Sequence, residues 1–136
     1  MPGVVRVAAL GDLHYTKTSQ GVFQPLFARI AESADMLLLA GDLTDYGLPE
    51  EARALAREFS SLRIPIVTVL GNHDFESGKE QEVREILQQA GITVLDGDAC
   101  EIALLHYAPV QQTAEGEPLE IFPCIGSSRL EEPINR

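Results

Sequence analysis

The sequence predicts an α/β fold, a mixed β-sheet core with flanking helices that begins as a βαβαβ run. Three observations carry that prediction. Short runs of Val, Ile, Leu and Ala alternate with stretches whose apolar residues recur at helical spacing. The segments between the first runs are long enough to hold a helix, which parallel strands require. Each of the first three runs also stops at a glycine, Gly11, Gly41 and Gly71. With 136 residues, the chain has the size of one domain, about 100–150 residues. It is read as a single domain over 1–136.

Val4 to Leu10 is a β-branched apolar run and is expected to be a strand buried on both faces. Phe23, Leu26, Phe27 and Ile30 then predict a helix ending near Ala34. Asp35 turns the chain into a second buried strand, Met36 to Ala40, and residues 41–48 form a loop. Pro49 suits the first turn of a helix, with Glu50 and Glu51 complementing its dipole. Ala52, Leu55, Ala56, Phe59 and Leu62 form its apolar stripe. Pro65 opens a third strand, Ile66 to Leu70. A helix follows over Glu80 to Ala90, with Gly91 as its C-terminal cap. Ile92 to Leu95 reads as a fourth strand, Asp96-Gly97 as a turn and Ala99 to Leu105 as a fifth strand. The proline-rich tail from Ala108 is mostly loop, with a short helix around Ser127 to Glu132.

Acidic residues number 21 against 10 basic ones, a net charge of −11. That balance disfavours long nucleic acids and anionic membranes as general partners. Two cysteines, Cys100 and Cys124, are too few for a disulfide framework and fit a reducing compartment. No apolar run approaches the ~18 residues that span a bilayer. The apolar N-terminus lacks a basic region before it and reads as a strand, not a signal peptide. The expected location is therefore cytoplasmic.

In open α/β sheets, sites form beyond the carboxyl ends of the strands. There the first strand is followed by Gly11-Asp12-Leu13-His14, the second by Gly41-Asp42-Leu43-Thr44-Asp45 and the third by Gly71-Asn72-His73-Asp74. Asp12, Asp42 and Asn72 are spaced 30 and 30 residues apart, one βαβ unit each. Parallel strands in register bring all three to one edge. The three histidines, His14, His73 and His106, all follow predicted strands. Carboxylates, an amide and imidazoles are ligands for Mn, Fe, Zn or related divalent ions. Asp12 and His14, at i and i+2, can point the same way, and Asp42 has two oxygens with which to bridge two ions. Two such ions can clamp a phosphoryl group and acidify a shared water.

These blocks resemble the signature of the calcineurin-like metallophosphoesterases. Asp12-x-His14, Gly41-Asp42-x-x-Asp45 and Gly71-Asn72-His73-Asp74 are similar to its first three blocks. His106, followed by Tyr107-Ala108-Pro109, is similar to the fourth. The resemblance implies two divalent metal ions and hydrolysis of a phosphate mono- or diester by a metal-bridging hydroxide. It implies that Asp12 and His14 hold the first ion, that Asp42 bridges, and that Asn72 and His106 hold the second. It further implies that His73 contacts phosphate and protonates the leaving group, with Asp45 orienting it.

The chain departs from that pattern in two ways. No histidine follows His106, so the Gly-His-x-His block that completes both metal shells in such enzymes does not occur in these residues. The domain is accordingly expected to be shortened at its C-terminal side. In addition, the link between the fourth and fifth strands is too short for a parallel crossover. Their hairpin would carry His106 to the far edge if the fourth strand ran with the first three. Either that strand is reversed or part of the family's intervening segment is missing.

The leading expectation is a metal-dependent phosphoesterase acting on a small phosphoester or nucleotide-like substrate. The alternative is a non-catalytic or partner-completed metal-binding module with an incomplete dinuclear site. A nucleotide-binding α/β domain is disfavoured, because neither Gly-x-Gly-x-x-Gly nor a Gly-Lys-Ser/Thr phosphate loop is present. Uncovered sheet edges would favour a homo-oligomer.

Overall fold

The computed structural model describes residues 4–96, which lie within one compact unit of the chain. The expected fifth strand, the helix near Ser127, His106, Cys100 and Cys124 lie outside the described residues, and the single domain expected over 1–136 extends beyond them. Among the described residues no helix is long and apolar enough to cross a membrane.

Among the described residues four strands and three helices alternate: β1 (Val7–Leu10), α1 (Gln24–Ser33), β2 (Met36–Ala40), α2 (Pro49–Phe59), β3 (Ile66–Val69), α3 (Glu80–Gln89) and β4 (Thr93–Val94). A single 3-10 turn, His73–Phe75, lies between β3 and α3. The strands pair in sequence order and in parallel. β4 runs with β3, Thr68 pairing with Val94, so a reversed fourth strand is ruled out. The antiparallel strand that would make the sheet mixed lies outside the described residues.

With right-handed crossovers, this strand order places all three helices on one face of the sheet. Leu37, Leu39 and Ile66 join the helical core formed by Phe27, Ile30, Leu55, Phe59, Val83 and Leu87. Leu38 and Val67, one residue out of phase, point to the other face and do not join that cluster. β1 departs from expectation. It is shorter than Val4 to Leu10, and it is not buried on both faces: alternate residues are exposed, Val7 by 43%. The reason is position. Among the described residues β1 is one of the sheet's two edge strands, and only Ala8 and Leu10 pack on the helical core, so Val7 and Ala9, which point to the other face, stay exposed.

The ends of the helices follow their sequence cues. Pro49 opens α2. Glu51 does more than complement the dipole: it is buried, and its carboxylate accepts the backbone N–H groups of Tyr46 (3.0 Å) and Leu48 (3.2 Å). Its neighbour Ala54, not Ala56, faces the core. At the end of α3, Gly91 takes φ +86°. There the N–H of Gly91 reaches the Gln88 carbonyl and the N–H of Ile92 reaches that of Leu87, a Schellman cap.

Candidate metal centre

Register brings the three ligand-bearing loops to one edge. Leu10 pairs with Leu39 and Ala40 with Val69, so the chain leaves all three strands at the same level. Past the sheet the first two loops continue to pair. The N–H groups of Asp12, His14 and Tyr15 donate to the carbonyls of Gly41, Asp42 and Leu43, at 3.2, 2.9 and 2.9 Å.

Asp12, His14 and Asp42 all take positive φ, 54°, 44° and 49°. This left-handed region costs a non-glycine residue roughly 1–3 kcal/mol, and such residues cluster where function demands a particular side-chain direction. The expected convergence of Asp12 and His14 is therefore achieved by two left-handed residues, not by the pleat of a strand. His14 Nε2 lies 3.9 Å from Asp12 Oδ1.

Tyr15 anchors the first loop. It is fully buried, and its hydroxyl donates to Glu58 on α2, which is itself buried. Burial, and then the Glu58 carboxylate, hold the phenol above its ordinary pKa. The Tyr15 ring meets Phe23, which stacks on Phe27, which meets Phe59. That aromatic chain ties the residue beside His14 to two helices.

The third loop approaches Asp42 from the other side. The N–H of His73 donates to Asp42 Oδ1 at 3.0 Å. Gly71 makes this approach possible, because a Cβ there would lie 2.2 Å from Asp42 Oδ1 and 2.4 Å from the Asp42 nitrogen. Of the three glycines that precede a candidate ligand, two are required, for different reasons. Gly41 takes φ +85°, Gly71 is demanded by close approach, and a Cβ on Gly11 would make only an ordinary contact, 3.6 Å from Ala40 Cβ.

His14, Asp42 and His73 each offer one ligand atom, and these atoms lie within 4.8 Å of one another. The two imidazoles meet edge to face with centroids 4.5 Å apart. His14 Nε2 is 3.8 Å from Asp42 Oδ2. A buried carboxylate between two imidazoles is a donor set that suits Zn, Mn or Fe, so the residues fit a divalent ion. Asp12 is largely exposed beside His14, and Asn72 is exposed at the head of the turn that contains His73.

His73 was expected to be oriented by Asp45. It is held at Asp45 by the backbone carbonyl, 2.7 Å from His73 Nδ1, while the Asp45 carboxylate lies 3.4 Å from His14 Nδ1. A carbonyl only accepts, so Nδ1 of His73 carries the hydrogen and Nε2 is left for chemistry. The same hydrogen bond raises the His73 pKa above 6.5, against burial, and the charges of Asp42, Glu76 and Asp45 add to the rise. A raised folded-state value means a stability increment complete below the unfolded pKa and lost as pH rises through the folded one. An NMR titration of the metal-free protein is expected to place the His73 midpoint above 6.5; a midpoint at or below it would contradict the hydrogen bond.

Asp74 closes the third block and Thr44 lies in the second loop, but sequence reasoning assigned neither of them a role. Both are fully buried, which their local sequence does not reveal.

Comparison with curated proteins returns no match. The family model for the calcineurin-like phosphoesterases matches residues 5–121, a span that contains all three ligand-bearing loops. The parallel α/β sheet, the histidine and aspartate cluster at its carboxyl edge and that match agree: the chain belongs to the calcineurin-like phosphoesterase family.

Proposed function

We propose that the chain is a metal-dependent hydrolase of phosphate mono- or diesters. The observation that carries this reading is the convergence of His14, Asp42 and His73 at the carboxyl edge of the sheet, in a chain of this family. When bound, two divalent ions of the Mn, Fe or Zn type would neutralise phosphoryl oxygens and acidify a water. Asp12 and His14 would hold one ion, Asp42 would bridge, and Asn72 would serve the second; because β4 runs parallel to β3, a hairpin after it would carry His106 away from that ion. His73 would give the leaving oxygen a proton from Nε2, its Nδ1 being fixed on Asp45. The substrate class is small phosphoesters, nucleotides among them; the net charge of −11 disfavours long nucleic acids.

The second reading is a binding module. What supports it is that the described cluster offers three ligand atoms, enough to seat one ion. One experiment separates the two. Protein dialysed against Mn²⁺ or Zn²⁺ is analysed for metal content, then assayed on a panel of alkyl, aryl and nucleotide phosphoesters. The hydrolase reading expects about two ions per chain and turnover that stops on chelation. Bound metal without turnover on any ester would leave the module.

A further inference from the structure

Beneath the ligand atoms lies a second carboxylate that the proposed chemistry does not use. Asp74 is fully buried. Its Oδ1 accepts the N–H of Thr44 (2.8 Å) and the Thr44 hydroxyl (2.6 Å). Its Oδ2 accepts the N–H of Leu43 (3.2 Å) and that of Gly71 (2.9 Å). The Thr44 hydroxyl in turn accepts the N–H of Gly47 (3.2 Å). The arrangement is reciprocal. The loop after β2 sends Asp42 to the backbone of His73, and the loop after β3 sends Asp74 back to the backbone of Leu43 and Thr44.

We propose that Asp74, through Thr44, is the positioning residue that sets the spacing of Asp42 and His73 and so determines metal affinity at this edge. The link from Asp42 Oδ1 to His73 uses the same side chain that an ion would draw on. The Asp74 link uses none of the ligand atoms, so it holds the two loops together whether or not an ion is bound. Its four donors also explain why the position needs a carboxylate. An asparagine would turn an NH2 group toward either the Leu43 and Gly71 donors or the Thr44 N–H, and a buried donor facing a donor is costly.

This inference rests on reading the edge as a metal centre. The test is calorimetric Zn²⁺ titration of wild type, Asp74→Asn, Thr44→Val and Thr44→Ser, with melting curves of each metal-free protein. Thr44→Val is the variant to rely on if Asp74→Asn does not fold. Loss of an outer partner of metal ligands typically lowers affinity 10- to 100-fold. Asp74→Asn and Thr44→Val are expected to weaken Zn²⁺ binding by about tenfold or more, and Thr44→Ser, which keeps the hydroxyl, by about twofold or less. Variants that melt lower in the metal-free form yet bind Zn²⁺ as wild type does would make Asp74 merely structural and overturn the inference alone. A wild type that binds no Zn²⁺ would overturn both the inference and the hydrolase reading.

Discussion

Replacing Asp42 with asparagine is expected to remove the protein's thermal response to metal. Asp42 is 5% exposed, left-handed, and set between His14 and the backbone of His73. Asparagine keeps its size and one carbonyl oxygen but not its charge. Changes in outer partners of ligands already cost 10–100-fold in affinity, so loss of a ligand's charge should reach about 100-fold or more. With metal at about 100 times the wild-type Kd, binding stabilises the folded state by about 2.7 kcal/mol. For a chain of 136 residues that is roughly 10 °C in Tm. Wild type should therefore lose roughly that much on addition of a chelator, and Asp42→Asn should lose almost nothing. Without metal, the variant should melt at or above wild type, because the acidic side chains at the edge repel one another when no cation is bound. Equal chelator responses in the two proteins would show that Asp42 is not a ligand.

Gly71→Ala is the second large effect expected. The added Cβ would lie 2.2 Å from Asp42 Oδ1, 2.9 Å from its Cγ and 2.4 Å from its backbone nitrogen. A flexible side chain could swing away from such a contact, but a backbone nitrogen at the end of β2 cannot. Ordinary overpacking costs about 1–3 kcal/mol, and a backbone clash should lie at or beyond the upper end of that range. Metal affinity should fall with stability, since the atom displaced is an oxygen of the proposed ligand Asp42. Gly11→Ala is the matched control. It also precedes an aspartate at a strand end, yet its Cβ meets Ala40 Cβ at an ordinary 3.6 Å, so a change within about 0.5 kcal/mol is expected. Melting curves of the two variants decide the matter; if Gly71→Ala melted like Gly11→Ala, the close approach of the two loops would be wrong.

The matched glycines illustrate where local sequence stops being informative. Gly11 and Gly71 have the same context, a glycine after a strand and before a residue with a side-chain oxygen. Only the packing of the third loop on the second makes one of them indispensable. The same holds for the acidic residues. Asp45 was expected to orient His73, and Asp74 stood in the third block without a role. In the fold, Asp45 offers its carbonyl to His73 and its carboxylate to His14, while Asp74 is buried under four donors.

Within the described residues, the sequence by itself determined the order of strands and helices, the start of α2, the extent of α3, and the presence of Asp12, His14, Asp42, Asn72 and His73 at one sheet edge. These follow from hydrophobic periodicity, from proline and glycine at helix ends, and from the even length of the βαβ units, all of which are local properties of the chain. Tertiary structure alone decided that β1 is exposed on alternate residues, that His73 joins His14 and Asp42, that three of the site residues are left-handed, and that Asp74 and Thr44 bind the loops from beneath. Each of these depends on hydrogen bonds and close approaches between residues about thirty positions apart, where the direction of a side chain is set by the backbone it meets and not by its neighbours in sequence.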